Sequence, residues 1–266
     1  MYMSTEIPLA RRDLIANRLA QGEPVVAAAL AAEFNVSEDA IRRDLRALAA
    51  EGLCRRVYGG ALPVSGHTQP MFARIDKDKG RKQALARRAA ASILPGETVF
   101  LDAGSTNLEL VEFLPEDQEL LVVTNSIDIA SAVLRRPDLR LIMLGGTVDP
   151  TVGGCVDTVA VQAAHNLRID RCFLGTCGID LRFGATAVLH SDAVFKRAVL
   201  DVTEHCVVLA MNHKFTSKAP HRICPVAEME LMVVEHDVLA SYIDPLRAAC
   251  ANIVRAEPMG PDSSRQ

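Results

Sequence analysis

Arginine side chains cluster in a short stretch near the start of the chain. Arg42, Arg43 and Arg46 stand close together, and the apolar residues Ile41 and Leu45 are spaced among them as on one helix face. If the apolar pair faces a core, the guanidinium groups lie on other faces of that helix. An arginine on a helix in the DNA major groove can bond O6 and N7 of one guanine. The stretch therefore predicts a DNA-reading helix, and a solvated helix face with internal ion pairs is the alternative.

Two further arginines, Arg55 and Arg56, follow in a predicted hairpin, where they can contact phosphates beside the groove. The first 63 residues contain eight arginines, no lysine and eight acidic residues, so this part of the chain is neutral. A basic surface must therefore come from segregation of the two signs onto different faces.

A second candidate site begins where a predicted strand meets a predicted helix. The residues at 102–107 are DAGSTN, in which Gly104 permits close backbone approach and Ser105 and Thr106 supply hydroxyl groups. A helix start adds free N–H groups and a positive dipole, so the run can hold an anion such as a phosphate. It is not a Walker loop, because no G-K-[ST] follows. A tight turn with a helix cap is the alternative interpretation.

Small or polar residues also stand at the ends of three other predicted strands. They are Asn125, Gly146, and Gly175 together with the run 178–180. In open α/β sheets, ligands bind at the carboxyl ends of the strands. Four such strand ends together predict one cleft for a small ligand.

Short helices and a hairpin must position the arginines. Apolar spacing predicts helices at 8–20, 25–34 and 38–50, with Ser37 as the cap of the third helix. The run 53–62 predicts two short strands around Gly59-Gly60. Three helices followed by a hairpin predict a winged helix-turn-helix.

Apolar strands that alternate with helices must position the second site. This alternation predicts an open, mostly parallel α/β sheet after residue 96. The predicted strands lie at 98–104, 120–125, 139–146, 170–178, 206–211 and 231–235. The predicted domains are a DNA-binding domain at 6–63, an irregular linker at 64–76, an effector domain at 77–256 that starts with a helix at 77–94, and a disordered tail at 257–266.

Composition limits the class of protein. The chain has 266 residues, 49% of them hydrophobic and 23% charged, which is enough for a full core in one or two domains. No long apolar run or signal peptide is found, so we expect a soluble, cytoplasmic protein without a membrane partner. The seven cysteines lack metal-ligand spacing, and we expect reduced thiols, no metal and no cofactor.

The segment VSEDAIRRDLRALAAEGLCRRVYGGAL resembles the DeoR-type winged helix of bacterial transcription regulators, and the similarity spans Arg11–Pro63. Ala40 stands where the family usually has threonine, and Tyr58 where histidine is common. The resemblance implies double-stranded operator DNA as a partner. The predicted DNA-contacting residues are Ser37, Glu38, Ala40, Arg42, Arg43, Arg46, Arg55, Arg56 and Tyr58.

The rest of the chain resembles the DeoR sensor domain over about 82–255, in the segments DAGSTNLELVEFL, VVTNSIDIA, LGGTV, FLGTCGID, FGAT and VFKRAVL. That domain is similar to sugar-phosphate isomerases such as ribose-5-phosphate isomerase, which implies a cleft for a phosphorylated sugar or a related metabolite. The implied effector contacts are Asp102, Gly104, Ser105, Thr106, Asn125, Gly146, Asp180 and Lys214. Lys82 and Lys196 also match family positions, and for them a surface or ion-pair role is the alternative.

Two departures from the family pattern concern the effector. Met211 replaces an aspartate, and a thioether accepts hydrogen bonds only weakly. Asp149 stands where an arginine often follows the Gly-Gly pair, and a carboxylate would repel a phosphate. These departures predict either an unusual effector or a vestigial cleft.

The resemblance implies a homo-oligomeric repressor of a carbohydrate-metabolism operon, released from DNA by a phosphorylated sugar. We expect no catalysis, because Asp180 alone stands where the isomerases have an acid-rich motif. Two alternatives stay open: an isomerase-type enzyme with an appended DNA domain, and a DNA binder with a vestigial cleft.

Overall fold

The computed structural model describes residues 8–20, 23–63, 69–250 and 252–259. The chain divides into two compact units, Met1–Arg74 and Ile75–Gln266. Each unit has an apolar core of its own.

The first unit contains three helices and a three-stranded antiparallel sheet of order β1-β3-β2. Its core is formed by residues such as Ile15, Leu30, Ile41, Leu45 and Leu48. The elements are α1 (Pro8–Ala20), β1 (Val25–Val26), α2 (Ala27–Glu33), α3 (Glu38–Ala50), β2 (Cys54–Val57) and β3 (Gly60–Pro63).

The predicted second helix, 25–34, is wrong at its beginning. Val25 and Val26 form strand β1, which pairs with Ala61 and Gly60 of β3, and the helix begins only at Ala27. A β-branched pair fits an extended strand, and Gly60 permits the pairing because a Cβ there would collide with the Val25 carbonyl oxygen. Hairpin and helices therefore form one winged helix-turn-helix, as predicted.

The predicted linker contains a helix. Residues 64–68 lie outside the described residues, but α4 (Met71–Ile75) forms in the part expected to be irregular. Met71 is buried and Pro70 precedes the helix, where its fixed φ suits a helix start. A five-residue helix is too short for sequence periodicity to reveal.

The second unit is a three-layer α/β domain. Its strands are β4 (Thr98–Leu101), β5 (Leu121–Thr124), β6 (Arg140–Met143), β7 (Val148–Asp149), β8 (Gly154–Cys155), β9 (Ile169–Leu174), β10 (Gly178–Asp180), β11 (Gly184–Ala187), β12 (Thr203–Ala210), β13 (His221–Arg222), β14 (Leu231–Val234) and β15 (Asn252–Arg255). Its helices are α5 (Lys79–Ala90), α6 (Ser105–Glu109), α7 (Ile127–Val133), α8 (Thr158–His165), α9 (His190–Leu200) and α10 (Ala240–Ile243), with 3-10 helices at Leu110–Phe113, Asn212–Phe215, Val226–Glu228 and Asp244–Leu246.

Seven of these strands form one parallel sheet of order β15-β14-β12-β9-β4-β5-β6. In chain order, β5 and β6 extend the sheet on one side of β4, and the next strand of this sheet, β9, pairs with the other side of β4. The order of strands therefore reverses between β4 and β9, and the carboxyl ends of strands on either side of such a point leave a crevice. The predicted Asp102 site follows β4, at this reversal.

Alternate residues of the central strands enter two different apolar layers. Phe100, Cys172 and Val208 face the layer that includes α8 and α9, whereas Leu101 and Phe173 face the layer of α5 and α6. Strands buried on both faces read as continuous apolar runs, which is why the sequence revealed them.

Several small elements were not predicted. β7 pairs with β8, and β10, β11 and β13 form a separate three-stranded sheet. These strands are short, and β11 is buried along its length and is built from glycine, alanine and threonine. They therefore lack the alternation and the β-branched runs that identify strands in a sequence. Residues 257–259 have no regular structure, and 260–266 lie outside the described residues.

Candidate nucleic-acid interface and effector site

The helix α3 presents two faces of opposite character. Ile41 and Leu45 are buried in the core of the first unit, while Arg43 and Arg46 are exposed. Ser37 begins the helix: its side-chain oxygen accepts a hydrogen bond from the Ala40 N–H at 3.3 Å. Ser37 thus fixes where the helix starts, and with it the directions of the arginines.

Four of the predicted DNA-contacting arginines carry unneutralised charge. Within the described part of the chain, Arg43, Arg46, Arg55 and Arg56 form no ion pair, and all four are exposed. Arg42 differs, because it pairs with Glu38 at 2.8 Å and Asp39 at 3.6 Å in its own helix. The ion-paired helix face that was the alternative interpretation therefore describes Arg42 but not its neighbours.

The other arginines of this unit are held by carboxylates that join its helices. Arg11 bonds Asp44 at 2.7 Å, Arg12 lies 3.4 Å from Glu51, and Arg18 forms a two-point contact with Glu33. These pairs occupy Asp44, Glu51 and Glu33, so these three carboxylates are held by arginines of α1. The neutral unit thus has its charges segregated, and the positive ones remain on α3 and the hairpin.

The hairpin ends in a fully exposed tyrosine, Tyr58. The next residue, Gly59, has a φ of +80°, a left-handed conformation that glycine adopts without strain. The turn therefore presents an aromatic ring and a hydroxyl group beside Arg55 and Arg56.

The second site is centred on a buried ion pair. Asp102 follows β4 and is completely buried, and its Oδ2 accepts hydrogen bonds from the Gly175 N–H at 2.7 Å and from Lys196 Nζ at 2.5 Å. Lys196 is also buried and lies 3.0 Å from Asp192, four residues earlier on α9. The carboxylate therefore joins the ends of β4 and β9 where the strand order reverses.

Both members of this pair have shifted pKa values. Burial raises the pKa of Asp102 to about 6, although the Lys196 ammonium opposes the shift. Burial also acts to lower the pKa of Lys196, but Asp102 and Asp192 outweigh that effect and raise it. Lys196 is consequently a buried cation at physiological pH, and Asp102 ionises less readily than an exposed aspartate.

Asparagine side chains hold the neighbouring strand ends together. Asn125 accepts from the Ala103 N–H at 3.0 Å and donates to the Cys155 carbonyl at 3.0 Å. Asn107 donates to the carbonyls of Asp102 and Phe173 at 3.0 and 2.8 Å. These bonds fix the backbone of the 102–107 turn, and Asn125 and Asn107 are themselves buried.

The remaining predicted effector residues are more accessible. Gly104, Thr106, Asp180 and Lys214 are half-buried, and Gly146 is exposed. Ser105 is 7% exposed and its hydroxyl group has no hydrogen-bond partner among the described residues. The predicted set thus divides into three buried residues, Asp102, Ser105 and Asn125, and five that are partly or fully exposed.

Two of these groups are engaged in turns. Asp180 accepts from the N–H groups of Arg182 and Phe183 at 2.8 and 2.7 Å. Gly146 has a φ of +141°, and a Cβ there would collide with the carboxylate of Asp157, which caps α8. These contacts give both residues a role in the local backbone.

The two departures from the family pattern have structural explanations. Met211 is buried in the same apolar layer as Leu209 and Val233, so its thioether packs in the core. Asp149 accepts from the N–H groups of Thr151 and Val152 at 2.8 and 3.1 Å, which closes a turn. Each residue thus has a structural role in this chain, and the departure from the expected effector stays a prediction.

Lys196 and Asp192 extend the site beyond the predicted residues. The sequence left Lys196 between two roles, and the structure makes it a buried ion pair. Asp192 was not predicted, although two opposite charges four residues apart beside Ala193, Phe195 and Val199 were a visible signal of a buried pair. Lys82 is buried too, and it donates to the Ile75 carbonyl at 3.1 Å.

The described residues contain no group of three His, Cys, Asp or Glu side chains suited to a metal ion. Of the seven cysteines, all are free thiols and Cys177 alone is not fully buried. No helix in the described ranges is long and apolar enough to cross a bilayer.

A winged helix with free arginines and an α/β unit with a strand-end site together define a DNA-binding regulator with a sensor domain. Family models agree with this class: a DeoR-like helix-turn-helix domain matches residues 11–66, and a DeoR C terminal sensor domain matches 77–236. The chain belongs to the DeoR family of transcription regulators.

Curated relatives cover most of the chain. A putative aga operon transcriptional repressor of Escherichia coli O157:H7 is 29% identical over 92% of both chains. The glycerol-3-phosphate regulon repressor of Escherichia coli K12 is 31% identical over 71% of this chain and 76% of its own. Among solved structures, a ribose 5-phosphate isomerase from Plasmodium falciparum has a TM-score of 0.36 at 18% identity, over 50% of this chain and 51% of that one.

Replacement of Lys196 tests the buried pair. The change Lys196→Met leaves two buried carboxylates without their cation, which costs about 3–5 kcal/mol of unfolding free energy at pH 8. The pKa of Asp102 then rises further, because its cation is gone. The folded state therefore takes up a proton as the pH falls, and the variant loses less unfolding free energy at pH 5.5 than at pH 8. Urea unfolding at both pH values measures this.

The double variant Lys196→Met/Asp102→Asn is the control. It removes the carboxylate that depends most on the cation, so it is expected to unfold with a higher free energy than the single variant at pH 8. An equal loss at both pH values, with no recovery in the double variant, contradicts the assignment.

Proposed function

We propose that this protein is a sequence-specific repressor of a carbohydrate-metabolism operon that a phosphorylated sugar or related metabolite releases from its operator. One observation carries the DNA-binding part: Arg43 and Arg46 are exposed on α3 and form no ion pair with any residue that the structure describes, while Ile41 and Leu45 of the same helix are buried. This arrangement suits a helix in the major groove, with Arg55, Arg56 and Tyr58 on the adjacent backbone. Arg42 can join them by exchanging Glu38 for a phosphate or base.

The names of the relatives support the repressor part. One is a repressor of a glycerol-3-phosphate regulon, and another is named for the aga operon. We infer that this chain likewise responds to a small phosphorylated metabolite. Its DNA-binding domain would span 6–63 and its sensor domain 77–256, and it would act in the cytoplasm, where bacterial operators are.

We infer two roles for the predicted effector residues. Gly104, Ser105, Thr106 and Lys214 would contact the ligand, because the first three lie at the start of α6 and the fourth brings a cation. Asp102, Asn125, Gly146 and Asp180 would position the strand ends and turns around it. Two observations support this division. The Ser105 hydroxyl has no hydrogen-bond partner among the described residues, whereas Asp102 and Asn125 have no exposed surface.

We also infer that the cleft binds its ligand without turnover. Isomerisation needs a carboxylate base that can reach the substrate carbons. Asp180 already accepts two backbone N–H groups, and Asp102 is shared by Lys196 and Gly175. Both carboxylates are thus engaged by the protein itself, and Asp102 has no exposed surface from which to reach a substrate, which favours a sensor over an enzyme.

A homo-oligomer completes the proposal. One α3 reads one half-site, and paired half-sites need two copies related by symmetry. The ligand must bind the DNA-competent and DNA-incompetent states with different affinity, and by reciprocity operator DNA then weakens ligand binding.

Replacement of Arg43 tests the DNA-reading helix. Arg43→Ala is expected to weaken operator binding by about 1–3 kcal/mol, because a base contact is lost, and to reduce the preference over scrambled DNA. Fluorescence anisotropy with both DNAs measures this. Arg12→Ala, which breaks a pair with Glu51, is the matched control and should change operator affinity by less than about 0.5 kcal/mol. Unchanged affinity of a folded Arg43→Ala protein would remove α3 from the reading role.

Replacement of Ser105 tests the effector contacts. Ser105→Ala removes a hydroxyl group that has no hydrogen-bond partner among the described residues, so the operator affinity is expected to stay within about twofold. Release from the operator is expected to need a roughly tenfold higher concentration of the sugar phosphate, because a ligand contact is lost. Titration of a preformed operator complex measures both. Ser131→Ala, at an exposed serine of α7, is the control. A wild-type dose response in Ser105→Ala argues against the contact.

A further inference from the structure

The first turn of α5 is tied to the end of β14 by an arginine. The Arg81 guanidinium bonds both oxygens of Asp237, at 2.5 and 3.1 Å, and also contacts the buried Glu235. The bond from Arg81 holds the pKa of Asp237 well below its usual range. The contact therefore stays ionised at physiological pH.

The same two carboxylates bind the segment that carries Lys214. The backbone N–H of Asn212 donates to Glu235, and its side-chain amide donates to Asp237 at 2.8 Å. Asn212 begins the 3-10 helix Asn212–Phe215, which contains Lys214. We call Arg81, Asn212, Glu235 and Asp237 the Arg81 clamp. The clamp therefore links the Lys214 segment to the first turn of α5.

The first turn of α5 also binds the segment that precedes it in the chain. Lys82, next to Arg81, is buried and donates to the carbonyl of Ile75, the last residue of α4. Between α4 and α5, Asp78 has a φ of +55°, a conformation that costs energy for a residue other than glycine. The chain thus passes from α4 to α5 through a residue in the left-handed conformation, and the Lys82 side chain binds the end of α4.

Polar contacts rather than close packing hold this turn. A cavity of about 390 Å³ lies beside it, lined by Asp78–Arg81 on one side and by Glu235, His236 and Ala256 on the other. Further along α5, Leu85, Ala86 and Ala89 are completely buried in the core. The body of the helix is therefore fixed, while its first turn has room to move if the clamp opens.

We propose that the Arg81 clamp couples the effector site to the connector, so that a ligand at Lys214 shifts Asn212, the two carboxylates and Arg81 in turn, and through Lys82 the backbone at Ile75. This coupling rests on the proposed function, because it needs a ligand at Lys214. A coupling element requires two arrangements that both sites bias: the closed clamp of this structure would be one, and a clamp opened into the adjacent cavity the other.

Hydrogen exchange of the full-length protein without any ligand tests the connection itself. Arg81→Gln is expected to speed amide exchange about tenfold or more in both 71–78 and 212–215, because the two segments share the clamp. Arg87→Gln, an exposed arginine on the same helix with no ion pair among the described residues, should leave both unchanged. Faster exchange confined to α5 overturns the proposal.

Operator release tests the function of the clamp. The probes are glycerol 3-phosphate, fructose 1-phosphate, fructose 6-phosphate and ribose 5-phosphate, with inorganic phosphate as the bare anion. The releasing probe is expected to raise the melting temperature of Arg81→Gln as much as that of the wild type, since no ligand contact is removed. A saturating concentration of the probe is expected to raise the operator Kd of Arg81→Gln by a factor at least tenfold smaller than the factor for the wild type. Asp237→Asn should behave alike, which separates clamp opening from a folding defect in one variant.

The two failures are distinguishable. If a probe releases Arg81→Gln from DNA as fully as it releases the wild type, the clamp does not couple the sites. If no probe releases the wild type, the effector part of the proposed function is wrong, and the exchange experiment still decides whether the Lys214 segment and the connector are mechanically joined.

Discussion

The buried carboxylate of Asp102 is the constraint around which the sensor domain is arranged. It lies where the strand order reverses, and it joins β4 to β9 through Gly175 and to α9 through Lys196. An unpaired carboxylate could not remain charged in that position, so Lys196 and the strand-end turns depend on each other. The position of the 102–107 turn depends on this pair.

Segregation of charge has the same importance in the DNA-binding unit. Ion pairs of Arg11, Arg12 and Arg18 use carboxylates within the helical framework and leave α3 and the hairpin positively charged. A net charge near zero is therefore compatible with DNA binding. Such a surface gives a moderate electrostatic attraction, so base contacts must supply much of the preference for one sequence.

The sequence predicted elements with strong local signals. The bounds of α1 and α3 match the predicted helices, because an apolar face and the Ser37 cap are encoded locally. Strand β1 was missed because its pairing with β3 depends on residues far along the chain. The position of Met211 shows the same limit: the alternation of Val207 and Leu209 continues into it and directs it to the core, which a comparison of motifs alone does not reveal. Asp102 as a partner of Lys196, and the carboxylates that bind Arg81, could not be predicted because they lie far away in the chain and only the fold brings them close.

The most direct test of the account is the affinity of the full-length protein for DNA from upstream of its own gene, compared with scrambled DNA, with and without the sugar phosphates. Fluorescence anisotropy at several salt concentrations separates sequence preference from charge attraction. The account predicts preferential binding to the upstream DNA, which one sugar phosphate abolishes. Equal affinity for both DNAs at every salt concentration, unaffected by any of the compounds, would contradict it.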